Sequence, residues 1–185
     1  MNILEPSKER PSHELTDTRD IKAPPEVVWA ALLDADVLKA CIPGCQEMTG
    51  SADEGFMATV TQKIGPVKAT FKGAVTVADI VAGVSCTLSG EGKGGPAGFA
   101  KGSAKVVLTP TPEGTHLEYT AKANVGGKIA QLGSRLIDGV ARKMADDFFT
   151  RFQKAVEGED ETAGIPGDGA DGEKKKGWLG RLTGG

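Results

Sequence analysis

Residues 90–103 read GEGKGGPAGFAKGS, with six glycines and one proline in fourteen positions. On both sides of this stretch, apolar residues alternate with polar ones, as they do in half-buried antiparallel strands. Glycine readily adopts the positive φ angles that tight turns need. The stretch therefore predicts a glycine-rich hairpin within an antiparallel sheet.

Residues 126–152 show a different pattern. They contain no proline, and their apolar side chains recur every three to four positions, which is the spacing of one helix face. We predict a single helix over about 128–156. Gly133 and Gly139 lie inside it, where they either permit close packing against a strand or leave space for a bound molecule. The apolar stripe consists of Ile129, Leu132, Leu136, Val140, Met144, Phe148 and Phe152.

About six stretches alternate with a period of two, beginning with a first strand at 14–21. Pro25 suits the first turn of a short helix, and Asp34 is a favoured N-cap residue for a second one over 35–40. The apolar face of the strands needs a cover, which the long helix provides. The predicted fold is α+β: a curved antiparallel sheet wrapped around a long C-terminal helix, with two short helices after the first strand.

The composition bounds the class of protein. A length of 185 residues fits one domain, which we place at 14–156, and a net charge of −3 argues against nucleic acid as the main partner. Residues 1–13 are polar and predict a disordered tail rather than a secretory signal, and no apolar run is long enough to span a membrane. Three cysteines, Cys41, Cys45 and Cys86, leave one unpaired in any disulfide scheme, which favours a reducing cytoplasm.

The composition changes after residue 156. Residues 157–173 hold seven acidic residues, five glycines and no basic residue, which predicts a solvated linker. Residues 174–185 read KKKGWLGRLTGG, and lysines beside tryptophan and leucine are typical of segments that bind an anionic membrane surface. We predict a membrane or partner anchor formed by Lys174, Lys175, Lys176, Trp178, Leu179, Arg181 and Leu182.

No constellation of catalytic or metal-binding residues stands out. The Cys41–Cys45 spacing lacks two further zinc ligands, since the only histidines are His13, in the predicted tail, and His116, on a face predicted to be exposed. A G-x-G-x-x-G match at 90–95 is not followed by a helix, so it does not predict a nucleotide site. Tyr119 is the only tyrosine, and we expect it to be a core residue with a satisfied hydroxyl. We predict no cofactor, no metal and no catalytic residue.

A curved sheet around a helix leaves a cavity, and the inward faces of the elements predict its lining. The predicted ligand-binding residues are Phe56, Val60, Phe71, Val75, Leu88, Phe99, Leu117, Tyr119, Leu132, Leu136 and Val140.

Four motifs resemble the CoxG family, which is named for a subunit of carbon monoxide dehydrogenase: VLKACIPGC at 37–45, KIGPVKA at 63–69, the stretch 90–104, and GGKIAQLGSR at 126–135. This family belongs to the SRPBCC (START-like, helix-grip) superfamily, and the resemblance covers about 15–156. It implies a helix-grip fold around an apolar cavity. It also implies an accessory role in a molybdenum hydroxylase system, in maturation or membrane attachment of the dehydrogenase, with no catalytic residue to transfer.

Three functions are compatible with these observations. The first is a bacterial, non-enzymatic carrier that binds a quinone or another lipid and links a molybdenum-containing dehydrogenase to the inner face of the cytoplasmic membrane. The second is a small-molecule enzyme of the START-like superfamily, which would need polar groups in the cavity. The third is an interaction or maturation factor whose core is filled by side chains. We favour the carrier because strand alternation supplies no inward acid–base pair.

Overall fold

The computed structural model describes residues 13–158, which form seven strands and three α-helices. In chain order these are β1 (His13–Ile21), α1 (Pro25–Leu32), α2 (Ala35–Cys41), β2 (Cys45–Ser51), β3 (Gly55–Ile64), β4 (Val67–Val81), β5 (Ser85–Lys93), β6 (Phe99–Thr111), β7 (Gly114–Gly126) and α3 (Ser134–Glu157).

All seven strands belong to one antiparallel sheet with the order β1-β7-β6-β5-β4-β3-β2. Strands β2 to β7 follow one another as a meander, and β1 joins its far edge beside β7. Helices α1 and α2 form the connection between β1 and β2, and α3 contacts β1 and α2. The predicted fold class, a curved antiparallel sheet with a long C-terminal helix and two short helices after the first strand, is confirmed.

The glycine-rich hairpin is also confirmed. Strands β5 and β6 pair from Ser85 opposite Val107 to Lys93 opposite Phe99, and a short 3₁₀ turn at Gly95–Ala97 joins them. Gly98 closes this turn with a φ of 116°, and a Cβ atom there would lie 2.0 Å from the carbonyl oxygen of Gly126. Any other residue at position 98 would therefore force the turn away from the end of β7.

The two short helices begin as their sequences predict. Pro25 occupies the first turn of α1, where a missing N–H costs nothing. The Asp34 carboxylate caps α2 by accepting hydrogen bonds from the backbone N–H groups of Asp36 (2.8 Å) and Val37 (3.1 Å).

The long helix differs from its prediction at its start. It begins at Ser134, because residues Gly127–Leu132 form a separate 3₁₀ segment that ends at Gly133. Gly133 has a φ of 95°, which is incompatible with continuing a right-handed helix through this position. Gly133 therefore precedes the helix instead of lying within it. Gly139 does lie within it, but a Cβ atom there would meet nothing within 4 Å, so close packing does not explain this glycine.

Two apolar clusters hold the helix against the sheet. The larger one gathers Phe149 and Phe152 of α3 with Val28 of α1 and Leu117 of β7, and these last three residues are fully buried. The smaller one contains Ala69, Ala97 and Ile129, with Phe71 and Leu132 packed against it. Within residues 13–158, no helix combines the length and the apolar character needed to cross a lipid bilayer.

Candidate functional site

A cavity of about 480 Å³ lies between the inner face of the sheet, helix α2 and helix α3. This volume is within the range of small-molecule sites. The sheet contributes Met48, Phe56, Val75, Leu88, Gly90, Gly102, Ser103, Ala104, Val106, Tyr119 and Ala121 to its wall. The helices and the segment after α2 contribute Leu32, Leu38, Ile42, Pro43, Met144, Ala145, Phe148 and Phe149.

The wall of this cavity is almost entirely apolar. None of its nineteen residues carries a charge, and only Ser103 and Tyr119 have a polar side-chain atom. An apolar wall of this kind favours a ligand that gains free energy by leaving water. The wall contains no pair of groups that could exchange a proton with a substrate by general acid–base catalysis.

Small residues on the central strands create the space. Gly90 of β5 pairs with Gly102 of β6, and Ala104 of β6 pairs with Ala121 of β7. A Cβ atom on Gly102 would lie 2.6 Å from the carbonyl oxygen of Lys122, and one on Gly90 would lie 2.8 Å from that of Ala74. The strands thus approach closely where the glycines lie, which is a known use of strand glycine. These positions add no side chain to the cavity.

Tyr119 occupies the part of the wall nearest to β1. Its ring stacks on Phe149 with centroids 5.1 Å apart, and the residue is only 6% exposed. Burial raises the pKa of its hydroxyl above the ordinary value of 10.0. Contrary to the expectation of a satisfied hydroxyl, no hydrogen-bond partner for it is found among the described residues.

A charged group closes the gap between β1 and α3. Arg19 pairs with Asp17 of its own strand and with Asp146 of α3, the latter at 2.7 Å, and its guanidinium lies 5.2 Å from the centroid of the Phe149 ring. A hydrogen bond from the backbone N–H of Thr18, with the nearby Arg19, lowers the pKa of Asp17. The group ties the sheet edge to the helix beside Tyr119.

The histidines lie away from the cavity. His13 is the first residue of β1, not part of a tail, and its Nδ1 lies 2.6 Å from Oδ1 of Asp138 with the side chain 9% exposed. His116 lies on the outer face and contacts Asp20 at 2.6 Å. Burial raises the pKa of all three cysteine thiols, Cys41, Cys45 and Cys86, which are free. Within residues 13–158, no cluster of three or more potential metal ligands is present.

The structure brings four of the eleven predicted ligand-binding residues to the cavity: Phe56, Val75, Leu88 and Tyr119. The other seven are outside its wall. Leu117 is fully buried in the larger cluster, and Phe71 and Leu132 pack against the smaller one. Phe99 lines a separate cleft with His13 and Ser134, and Val60, Leu136 and Val140 belong to none of these surfaces.

The shift along the helix has a clear cause. Because α3 starts later than predicted, its residues facing the cavity are Met144, Ala145, Phe148 and Phe149, one to three turns beyond Leu136 and Val140. Leu136 instead lies over Gly65 in the β3–β4 turn, where a Cβ atom added to the glycine would be 2.7 Å from the Leu136 Cδ2 atom. The wall formed by Leu38, Ile42 and Pro43 was missed, although their apolar character in and after α2 was a visible signal.

The predicted tail and anchor lie mostly outside the described residues. This holds for residues 1–12, for the linker beyond Gly158, and for the whole predicted anchor from Lys174 to Leu182.

Comparison with known proteins places the chain in a family. Residues 18–157 match the family model of CoxG, a subunit of carbon monoxide dehydrogenase. No curated protein matches the sequence.

Solved structures agree with this assignment. A conserved protein from Geobacillus kaustophilus is 33% identical, with a TM-score of 0.71, over 80% of this chain and 96% of that one. A protein from Rhizobium leguminosarum is 17% identical, with a TM-score of 0.61, over 80% and 97%. The Zhui aromatase/cyclase of Streptomyces sp. R1128, at 12% identity and a TM-score of 0.59 over 83% and 99%, shares the helix-grip fold. The resemblance drawn from the sequence motifs is thus confirmed, and the chain belongs to the CoxG family of carbon monoxide dehydrogenase proteins.

Proposed function

We propose that this protein is a non-enzymatic accessory protein that carries a hydrophobic small molecule, a quinone or another lipid, in its central cavity. Its partner in this proposal is a molybdenum-containing dehydrogenase of the carbon monoxide dehydrogenase type. By presenting the ligand at the membrane, the protein links that enzyme to the inner face of the cytoplasmic membrane.

The observation that carries the proposal is the uncharged wall of the 480 Å³ cavity. A cavity of this volume supports a carrier over an interaction module with a filled core. The same wall offers no acid–base pair, which supports a carrier over an enzyme. Family membership supports the link to a dehydrogenase.

Ligand carriage is tested by filling the cavity. Ala104 lies on the cavity wall, and Ala74 lies on the exposed outer face of β4, so Ala104→Phe and its control Ala74→Phe make the same change on opposite faces of the sheet. We expect purified wild-type protein to release a quinone or lipid on organic extraction, and to bind 1,4-naphthoquinone in equilibrium dialysis. Ala104→Phe should lose at least about tenfold in affinity because the ring occupies the ligand volume, while Ala74→Phe keeps it. Equal binding by both variants would contradict a cavity site.

Membrane contact is tested on the predicted anchor, 174–185, which lies outside the described residues. We expect full-length protein to co-sediment with anionic liposomes, less so at high salt, because surface charges are screened within about 10 Å at 0.1 M. Truncation after Gly172 should abolish sedimentation. The β4–β5 turn also exposes Ile80, Val81 and Val84. Equal sedimentation of both forms would remove the tail from the proposal and direct attention to this turn, and binding of the tail to the dehydrogenase alone would make it a docking peptide.

A further inference from the structure

The single tyrosine of the chain has an unusual environment. Tyr119 lines the main cavity together with Ala121 and Ala145. The same three residues also line a smaller cleft of about 180 Å³, which runs between β1, β7 and α3. Tyr119 therefore belongs to the partition between two spaces rather than to the interior of a packed cluster.

The hydroxyl of Tyr119 is buried and unpartnered within the described part of the chain. Burying a hydroxyl without a hydrogen bond costs free energy, and phenylalanine would fill the same space without that cost. Such a group in a native structure calls for an explanation, and one explanation is a partner that is not part of the protein.

The nearest charged groups do not meet this need, since they are engaged with one another. Asp17 accepts hydrogen bonds from Arg19 and from the backbone N–H of Thr18, and Arg19 also donates to Asp146. Ser103, the other polar side chain on the wall, lies on β6 and is exposed. Burial keeps the phenol protonated at neutral pH, so Tyr119 has a proton to donate.

We infer that the Tyr119 hydroxyl donates a hydrogen bond to an oxygen atom of the cavity ligand, which selects apolar molecules that carry a carbonyl or ether oxygen over pure hydrocarbons. The rest of the wall contacts the ligand through apolar atoms, so this hydrogen bond fixes its orientation. A quinone carbonyl meets the requirement. The inference rests on the proposed function, since it concerns a ligand in the same cavity.

The test compares two probes of similar size in wild-type protein and in Tyr119→Phe. The probes are 1,4-naphthoquinone, which has two carbonyl oxygens, and naphthalene, which has none. We expect Tyr119→Phe to weaken naphthoquinone binding about tenfold in equilibrium dialysis, the effect of losing one buried hydrogen bond, and to leave naphthalene binding unchanged. An equal affinity of both proteins for naphthoquinone would overturn the inference while leaving the hydrophobic cavity site intact. Wild-type protein that binds neither probe would overturn both the inference and the proposed function.

A second measurement needs no ligand. Because the substitution removes an unpartnered buried hydroxyl, ligand-free Tyr119→Phe should melt at the same temperature as wild type or about 2–4 °C higher. A melting temperature several degrees lower would reveal an internal partner for the hydroxyl and would overturn the inference. This readout also shows whether the variant is folded.

Discussion

Two regions of helix α3 pack against the sheet in different ways. Near its C-terminal end, Phe149 and Phe152 are 7% and 0% exposed, and Phe152 packs with Phe148 at 5.6 Å between ring centroids. About one turn earlier, Met144 and Ala145 face a cavity whose opposite wall includes glycine and alanine. The aromatic end is filled and the adjacent region is open. The difference indicates that one helix both stabilises the fold and forms a binding wall, at separate positions along its length.

The aromatic end should carry the largest share of stability. We expect Phe152→Ala to lower the free energy of unfolding by about 3–5 kcal/mol, because it removes a fully buried ring and leaves a cavity. Urea denaturation followed by circular dichroism measures this. Thr150→Ala, an exposed position on the same helix, serves as control and should change stability by less than about 0.5 kcal/mol. A loss below about 1.5 kcal/mol for Phe152→Ala would show that the two regions do not differ as described.

The cavity wall should respond less strongly and should depend on ligand. Leu88 is partly buried beside space that already exists, so Leu88→Ala should cost about 2 kcal/mol, the low end for such substitutions. In wild type, saturating 1,4-naphthoquinone at about 100 times its dissociation constant should add about 2.7 kcal/mol. Thermal unfolding with and without the probe gives both values. A cost for Leu88→Ala as large as that for Phe152→Ala would contradict the contrast.

Helix α2 supplies wall residues Leu38 and Ile42, and its cap lies outside both regions. Asp34→Ala removes two hydrogen bonds to backbone N–H groups and should cost about 1 kcal/mol. Asp36→Ala, which changes a first-turn residue that is not the cap, should cost less. Comparison of the two variants by urea denaturation shows whether the wall of the cavity depends on this cap.

The smallest effect lies on the outer face of the sheet. The hydrogen bond to Asp20 raises the pKa of His116 above its ordinary value of 6.5. A raised pKa stabilises the fold fully below the unfolded pKa and loses that contribution as the pH rises through the folded value. We therefore expect the stability of wild type, relative to Asp20→Asn, to fall between pH 6.5 and the raised pKa of His116. Parallel pH profiles of the two proteins would reveal the pair as unimportant.

The fold could be predicted further than the site because its signals are local. The glycines at 90–103, the N-cap Asp34 and the alternation around Val75 each act over a few residues. The helix start was misplaced because the apolar stripe continues through Gly133, and only its φ of 95° separates the 3₁₀ segment from α3.

The cavity depends on where distant elements meet. Alternation correctly gave an inward face to Leu117 and to Leu88, but only Leu88 lines the cavity, since α1 and the end of α3 cover Leu117. Whether an inward residue faces space or another side chain is decided by the curvature of the sheet, which the close contacts of Gly90 and Gly102 influence. Neither contact can be read from the pattern of the strand that contains it.

The position of β1 at the far edge of the sheet has a consequence for synthesis. His13 pairs with Ala123, so the first strand remains without its neighbour until about 110 further residues have been translated. At typical rates of ~5–20 residues per second, this takes on the order of 5–20 s, and contacts so distant in sequence also slow folding itself. During that interval the nascent meander β2–β7 has an unpaired edge at β7. The first strand is thus among the last to join the fold, and a chaperone that shields β7 would act at the step where aggregation competes most directly with completion of the sheet.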